Sequence, residues 1–322
     1  MEARGTTWRA TGAALLGTIA FLAVPAASAS ASTRGDDIHA STRGDLNAAM
    51  TGEAFAHAKY RAYADQAGAE GMPEVRALFN RTAADELDEH FAEQARLTGL
   101  AGTDASNLRD TIRGEGYEAT TMYKGFAKQA EAAGDTAAAR RFNEIAADEA
   151  GHRARFERAL RAIGGESGES AVPTDVTVKP EAIKAGLPQV SSPRTLENLR
   201  TALRGEALAN AKYLLYAQQA RREGRTALAT LYQRTARVER AEHFAEQATL
   251  AGLVRDTRTN LREAIAGETD EGTRMYPGYA RRAEAAGDGT AARVLSDTGR
   301  DELRHARAFS DALAGLEGRA AG

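Results

Sequence analysis

The chain has 322 residues, enough for two domains of ordinary size that each bury a core. Its 42 basic and 45 acidic residues are interspersed and leave a formal net charge of -3, so neither nucleic acid nor an anionic membrane is expected as a partner. With 0 cysteines, the chain cannot form disulfides, iron–sulfur clusters or an iron site made of cysteines.

Residues 1–31 have the composition of a secretory signal peptide. Arg4 and Arg9 precede the apolar stretch TGAALLGTIAFLAVPA, and the small residues of ASASA follow it. We expect cleavage near Ala29 or Ala31 and a mature protein outside the cytoplasm. A retained membrane anchor is the alternative, but the apolar run is shorter than the roughly 20 residues that cross a bilayer.

Residues 32–44 are predicted to be a flexible lead-in to the folded part of the chain. The triplet RGD occurs within this segment at 34–36 and again across its end at 43–45. Cell adhesion is therefore kept as a remote alternative function.

The next stretch predicts four long helices. Alanine, glutamate and arginine are abundant and the chain has only 7 prolines, which favours helix. Apolar residues recur at intervals of three and four in LFNRTAADELDEHFAEQA, as one buried helix face requires. Gly134 is predicted to end the third helix and Asp135 to cap the fourth. The predicted helices, 46–68, 73–98, 106–132 and 135–163, would form a four-helix bundle.

The whole unit is written twice. TGEAFAHAKYRAYADQA returns as RGEALANAKYLLYAQQA, and RTAADELDEHFAEQARLTGL returns as RTARVERAEHFAEQATLAGL. Matched residues such as Glu53 and Glu206 lie 153 positions apart, without slippage. We therefore predict two domains joined by a linker rich in Pro, Gly and Ser, with domain 1 at 45–163, the linker at 164–193, domain 2 at 194–317 and a tail at 318–322.

Seven polar residues near mid-helix interrupt the apolar faces of each predicted bundle. In DEAGHRARFERAL and DELRHARAFSDAL a glutamate stands three residues before a histidine, so both side chains leave the same face of the helix. Burying five carboxylates together would cost many kcal/mol unless cations offset their charge, and two divalent ions per bundle would do so. The candidate ligands are Glu53, Glu86, His90, Glu115, Glu118, Glu149 and His152 in the first copy, and Glu206, Glu239, His243, Glu268, Glu271, Glu302 and His305 in the second.

Oxygen-rich ligands with two imidazoles favour iron or manganese. Calcium does not favour imidazole, and zinc, which prefers fewer ligands, is a weaker alternative. Four of the 6 histidines occupy these positions at one offset, which disfavours an exposed charged stripe that happens to repeat.

One Glu on the first helix, Glu and His on the second, GExxE on the third and ExxH on the fourth resemble the rubrerythrin branch of the ferritin-like diiron proteins. The resemblance covers about 45–163 and 195–317. It implies an all-α fold of two tandem ferritin-like four-helix bundles, each with one dinuclear iron centre, with manganese as the alternative metal. Because the chain lacks the cysteines of the rubredoxin-like domain common in this family, it would need an external electron donor.

The resemblance extends to four tyrosines, Tyr60 and Tyr123 in the first copy and Tyr213 and Tyr276 in the second. In the family such tyrosines hydrogen-bond the ligand carboxylates. Without the resemblance, each would be interpreted as a core tyrosine with its hydroxyl at the rim.

The second helix departs from the family pattern, because an added residue separates Glu86 from His90 and Glu239 from His243. Positions i and i+4 of an α-helix still share a face, but a local π-bulge would absorb the extra residue equally well. Both arrangements remain open.

The leading hypothesis from the resemblance is a secreted protein that reduces hydrogen peroxide, rather than dioxygen, at its metal centres. The alternative is a protein that binds iron or manganese, or oxidises iron, outside the cytoplasm without peroxidase turnover. A helical module that has lost its metals is disfavoured, because both copies retain all seven candidate ligands.

Glu118 and Glu271 are the residues predicted to matter most in catalysis, together with the four tyrosines. The resemblance implies that this glutamate binds one iron in the oxidised state and gives way to a histidine on reduction. By matched position the histidine would be His90 for Glu118 and His243 for Glu271.

The connection between the second and third predicted helices has only about eight residues and reaches at most about 28 Å. Exchange of helix pairs between the two domains is therefore an open alternative to two self-contained bundles. Pairing of the two domains with each other, or of chains in a homo-oligomer, is also kept open.

Overall fold

The computed structural model describes residues 38–165 and 168–320, and within these ranges the chain is helical with no strand. The predicted all-α class is confirmed. The predicted signal peptide and the first RGD triplet lie outside the described residues, as does the end of the tail. No helix in the described part of the chain is both long and apolar enough to cross a membrane.

Helices of α type and short π-helical turns alternate along the chain. The four π turns of the described residues are π1 (Glu86–Phe91), π2 (Glu118–Met122), π3 (Glu239–Phe244) and π4 (Glu271–Met275). The α-helices are α1 (Ala40–Ala69), α2 (Pro73–Asp85), α3 (Ala92–Thr98), α4 (Asp104–Tyr117), α5 (Tyr123–Ala132), α6 (Thr136–Gly164), α7 (Pro193–Arg222), α8 (Thr226–Val238), α9 (Ala245–Ala251), α10 (Thr257–Asp270), α11 (Tyr276–Ala285) and α12 (Gly289–Ala320).

Each π turn joins two α-helices into one long helix, so each repeat has the four long helices that its sequence predicts. In the second helix of each repeat, π1 and π3 absorb the residue added between Glu and His, which is the π-bulge that the spacing left open. The π turns in the third helices, π2 and π4, begin at Glu118 and Glu271 and had no signal in the spacing.

Helix α1 begins at Ala40, six residues before its predicted start, so the predicted flexible lead-in 32–44 is wrong at its C-terminal end. Tertiary contacts extend the helix. The His39 amide donates to the Asp288 carboxylate at 3.2 Å, and Arg43 Nη1 donates to the Thr98 carbonyl at 3.1 Å. The second RGD triplet is consequently helical.

The described residues fall into two compact units that do not coincide with the repeats. One unit is Arg43–Asn260, and the other combines the described residues up to Thr42 with the described residues from Leu261 onward. Within Arg43–Asn260, helices α4–α6 of the first repeat pack against α7–α9 of the second. Their shared core contains Phe156, Tyr213 and Tyr232, whose ring centroids lie 5.1 to 5.9 Å apart.

The third and fourth helices of the first repeat pack with the second repeat because the connection that precedes them is short. Only the segment between Thr98 and Asp104 joins the second long helix to the third, and it reaches roughly 20 Å at full extension. The second long helix, from Pro73 to Thr98, is about 39 Å long at 1.5 Å per residue. The chain therefore cannot return along the bundle at this point, and the third and fourth helices of the first repeat pack with the second repeat. The sequence limits 45–163 and 194–317 stay a prediction.

The linker is docked on the second repeat. We call residues 168–192 the strap. Its amides donate to helix carbonyls, from Glu181 to Ala241 at 2.8 Å and from Gln189 to Leu250 at 2.8 Å. Val172 is buried in the shared core.

The strap also supplies helix caps. The Glu169 carboxylate accepts from the Leu228 amide at 3.1 Å and so caps α8. Asp135, predicted to cap α6, makes no such bond to its own helix. Its carboxylate instead accepts from the amides of Ser191 and Ser192, which anchors the end of the strap.

Candidate metal centre

Six buried side chains converge inside Arg43–Asn260, and they come from both repeats. Helices α4 and α6 of the first repeat contribute three of them, and α7 with π3 of the second repeat contributes the others. None is more than 4% exposed. They are Glu115, Glu149, His152, Glu206, Glu239 and His243.

Each histidine points its Nδ1 atom at three carboxylates. His152 Nδ1 lies 2.9 Å from Glu149, 3.2 Å from Glu239 and 3.6 Å from Glu115. His243 Nδ1 lies 3.0 Å from Glu239, 3.0 Å from Glu149 and 3.6 Å from Glu206. The two imidazole ring centroids are 5.7 Å apart.

This pattern distinguishes two kinds of glutamate. Glu149 and Glu239 each turn one oxygen toward His152 and the other toward His243. Glu115 and Glu206 each approach one histidine only. The arrangement therefore has two equivalent halves, with two carboxylates that could bridge a pair of metal ions and one terminal carboxylate and one imidazole for each ion.

The hydrogen-bonding capacity of the cluster is insufficient without cations. A ring Nδ1 carries at most one proton and can satisfy one of the three oxygens that surround it. Buried oxygens of Glu115, Glu149 and Glu239 have no hydrogen-bond partner. Two divalent ions would satisfy these atoms, and a donor set of carboxylates with one imidazole per ion suits iron or manganese better than zinc. The residues present therefore fit a dinuclear metal centre.

Without bound cations, protons on the histidines and on some of the glutamates offset the negative charge of the cluster. Burial opposes the charged imidazolium, but the carboxylates raise the pKa of His152 and of His243 well above the usual value. Burial raises the pKa of Glu206 to about 8. Burial also acts on Glu149, but the two histidines hold the pKa of that carboxyl below its usual range. A metal that enters this cluster must displace protons.

Two tyrosines from opposite repeats hold the terminal carboxylates. The Tyr123 hydroxyl donates to Glu206, and the Tyr213 hydroxyl donates to Glu115. Burial first, and then these carboxylates, raise the pKa of both phenols well above the usual value, so they act as neutral donors. The predicted hydrogen bond from tyrosine to ligand is observed here, between the repeats rather than within one.

Two further residues contact the cluster and were not predicted from the sequence. Gln247 is fully buried, and its Nε2 donates to the Tyr123 hydroxyl at 3.1 Å and to Glu206 at 3.3 Å. The motif HFAEQ, which ends in this glutamine in both repeats, was the available signal. Asp148, with 61% of its side chain exposed, lies 3.6 Å from His243 Nε2 and had no signal beyond its place beside Glu149.

Glu118 lies beside the cluster but not among its converging oxygens. Its carboxylate is half-buried and points toward α7, where a Cβ on Gly205 would lie 3.6 Å from Glu118 Oε1. Burial and then the charges of Glu149 and Glu206 raise its pKa well above the usual value. These carboxylates surround His243, so the predicted pairing of Glu118 with His90 is wrong, because the helix pairs are exchanged.

The remaining predicted ligands form two sets, one in each compact unit. In Arg43–Asn260, His90 Nδ1 lies 3.0 Å from Glu86 and 3.6 Å from Glu53. In the other unit, His305 Nδ1 lies 3.1 Å from Glu302 and 3.5 Å from Glu268. These distances repeat those of the complete centre.

The other residues predicted to take part in catalysis are also placed. Tyr60 and Tyr276 are buried, at 1% and 0% exposure, and Glu271 is half-buried at the start of π4. The proposed pairing of Glu271 with His243 stays a prediction.

A sequence model of the rubrerythrin family matches residues 45–92, 86–160 and 239–313. The chain is 33% identical over 141 residues to a rubrerythrin of Porphyromonas gingivalis, covering 40% of this chain and 70% of that protein. It is 35% identical over 131 residues to a rubrerythrin of Nitratidesulfovibrio vulgaris, covering 37% and 68%, and 32% identical over 136 residues to nigerythrin of the same organism, covering 38% and 67%. No solved structure matches the chain.

Proposed function

The chain belongs to the rubrerythrin family of diiron oxidoreductases, and we propose that it reduces hydrogen peroxide to water outside the cytoplasm, with electrons from an external donor. The reaction consumes two electrons and two protons for each peroxide and releases two molecules of water. The extracytoplasmic location rests on the signal-like composition of residues 1–31.

The observation that carries this proposal is the pair of carboxylates that each face both histidines. Glu149 and Glu239 would hold two metal ions side by side, with Glu115 and His152 on one ion and Glu206 and His243 on the other. When bound, a pair of redox-active ions supplies both electrons in one encounter, so that the O–O bond is cleaved without release of a radical. Iron is the proposed metal, with manganese as the alternative.

The side chains around the cluster have separate tasks. Tyr123 and Tyr213 fix one oxygen of each terminal carboxylate, which leaves the other oxygen directed at its histidine. Glu118 is the nearby carboxyl that is not committed to the cluster, and we assign to it the role of a ligand that enters and leaves as the oxidation state changes. Deep burial of the cluster excludes bulk water and strengthens each of these interactions.

Stopped-flow oxidation of the anaerobically reduced protein tests the choice of oxidant. We expect hydrogen peroxide to oxidise the reduced centre at least about tenfold faster than dioxygen at equal concentration, a barrier difference of about 1.4 kcal/mol. A faster reaction with dioxygen would reject peroxide reduction as the function.

A second candidate function is binding of iron or manganese, or oxidation of iron, outside the cytoplasm without peroxidase turnover. The absence of cysteine favours it, because the chain has no four-cysteine iron site of its own to relay electrons. Titration with ferrous iron in air distinguishes the two functions. Saturation near four metals per chain supports isolated dinuclear centres, whereas continued oxidation and mineral formation beyond that ratio supports storage.

A further inference from the structure

A polar side chain of the preceding long helix contacts the α-helical turn just before π1 and just before π3, and we call this contact the brace. His57 Nδ1 lies 2.6 Å from the Ala83 carbonyl, ahead of π1. Asn210 Nδ2 donates to the Ala236 carbonyl at 2.5 Å, ahead of π3. His57 and Asn210 occupy the same position of the repeat, as do the two alanines. The same contact therefore occurs in both repeats, although the residue type differs.

A π turn needs such a brace because it interrupts the backbone hydrogen-bond pattern. Where the spacing changes from four residues to five, neighbouring amides share carbonyl acceptors in a distorted geometry, and the Ala236 carbonyl keeps an amide donor only three residues along the chain, Glu239. At Ala236 the backbone also tightens, because the Glu239 amide reaches both Ala236 and Thr235. A side-chain donor at this junction stabilises the change of spacing where it begins.

The brace acts on the metal ligands through the backbone. The braced carbonyls stand three residues before Glu86 and Glu239, which are the first residues of π1 and π3. A slip of the hydrogen-bond register by one residue would rotate the following helix by about 100° around its axis. His243 would then leave the carboxylates that it faces.

We propose that His57 and Asn210 are positioning residues, whose side chains hold π1 and π3 in their hydrogen-bond register. This register directs Glu86 and His90 of π1, and Glu239 and His243 of π3, toward the metal ions that each turn would bind. Neither side chain is a metal ligand, and neither belongs to the groups of converging oxygens. Burial lowers the pKa of His57, in agreement with a neutral imidazole that donates from Nδ1 to a carbonyl.

The six-residue cluster around Glu149 and Glu239, the complete centre, allows the clearer test of this proposal. In a background that carries His90→Ala and His305→Ala, cobalt(II) added under anaerobic conditions reports on the cluster around Glu149 and Glu239 by its affinity and its visible absorption. We expect Asn210→Ala to weaken cobalt binding by roughly tenfold to a hundredfold and to change the absorption bands, because loss of a residue that orients ligands has effects of this size.

Asn210→His, which restores the donor found in the first repeat, is expected to keep the cobalt affinity within about threefold of the background. Asn198→Ala is the matched control. Asn198 is another buried asparagine of α7, and its amide donates to Gln129 at 3.0 Å, away from π3. Its loss should lower the melting temperature without changing the cobalt spectrum.

Cobalt content per chain in the otherwise native protein provides a second measurement that does not depend on the background. Asn210→Ala should bind less cobalt than Asn210→His. Parental affinity and spectrum in Asn210→Ala would overturn the proposal, as would an equal change of the spectrum in Asn198→Ala.

Discussion

The turns π1 and π3 carry the same ligand spacing and the same brace, but they differ in what lies on their outer side. In π3, the Ala241 carbonyl accepts from the strap amide of Glu181 at 2.8 Å. The matching residue of π1 is Asp88, whose side chain is exposed. The distances from His to Glu are nevertheless the same in both turns, 3.0 Å. The internal register of the helix therefore sets the ligand geometry, and the strap is an addition to it.

The sequence of π3 fits its cover. The outer positions in π1 are Asp88 and Glu89, both exposed acids, whereas π3 has Ala241 and Glu242. The Glu181 amide contacts the Ala241 carbonyl, so an aspartate in place of Ala241 would add a negative charge close to an acidic residue of the strap, and alanine avoids this repulsion. Glu242 remains because its carboxylate accepts from the Lys179 amide. The outer face of π3 therefore suits the docked strap, while its inner face carries the same ligands as π1.

The largest expected effect separates the inner and outer glutamates of π3. Glu239→Ala removes a carboxylate that faces both histidines, and we expect metal affinity at the complete centre to fall at least about a hundredfold, or about 2.8 kcal/mol. Glu242→Ala, three residues later, should leave the affinity within about threefold. Isothermal titration with ferrous iron under anaerobic conditions measures both, and comparable losses in the two variants would mean that the strap contributes to ligand geometry.

The next largest effect is expected from removing the glutamates at which the π turns of the third helices begin, Glu118 in π2 and Glu271 in π4. We expect Glu118→Ala with Glu271→Ala to retain most of the bound metal but to slow oxidation by peroxide by at least about tenfold, or about 1.4 kcal/mol. The reason is that Glu118 lies beside the cluster without belonging to its converging oxygens. Metal analysis and stopped-flow absorbance provide the measurements, and oxidation at the parental rate with full metal content would exclude ligand exchange.

These comparisons also define what the sequence could predict. The four long helices of each repeat and the candidate ligand sets follow from periodicity and spacing, because buried helix faces and paired ligands leave local patterns, whereas the role of the tyrosines was predicted only from the family resemblance. The grouping of helices does not follow. Both repeats carry equal ligand sets, so from the sequence Glu115 could share a metal site with the ligands of π1 or with those of π3. Only the short segment from Thr98 to Asp104 decides between these two groupings.

The strap shows a second limit of sequence analysis. Its content of Pro, Gly and Ser predicts a linker, but its amides bond to helix carbonyls far away in the chain, and such pairs have no period. Asp148 and Gln247 were missed for a related reason. Each acts through a contact with another helix, to His243 and to Tyr123, and neither contact leaves a pattern within its own helix.

The protonation of the cluster predicts a smaller effect, on the stability of the metal-free protein. The pKa of Glu206 is raised to about 8 and the pKa values of His152 and His243 are raised well above the usual value, so the folded state binds more protons than the unfolded state above pH 4.5. Stability therefore falls as the pH rises from about 4.5 through 8. Melting temperatures in the presence of a chelator should be several degrees lower at pH 8.5 than at pH 6.

Metal affinity should change in the opposite direction, because the ions displace these protons, so the metal-loaded protein gains stability over the same pH range. Melting curves with saturating manganese at the two pH values provide this comparison. If the metal-free protein were more stable at pH 8.5, the histidines would not be the groups that offset the buried carboxylates.

The smallest expected effect is on the docking of the strap. The substitution that tests it replaces a residue of π3 by the residue at the matched position of π1. Ala241→Asp gives π3 the residue of π1 and places a carboxylate near Glu181 and Glu242, at an expected cost of about 1 kcal/mol in the docking of the strap. Trypsin cleaves after lysine, except before proline, and needs a locally opened chain, so cleavage after Lys184 should become roughly fivefold faster. Asp88→Ala, at the matched position of π1, is the control and should leave the rate of cleavage after Lys184 unchanged. Equal cleavage in Ala241→Asp and the parent would show that the buried Val172, the cap at Glu169 and the bonds from Ser191 and Ser192 to Asp135 hold the strap without help from its contact with π3.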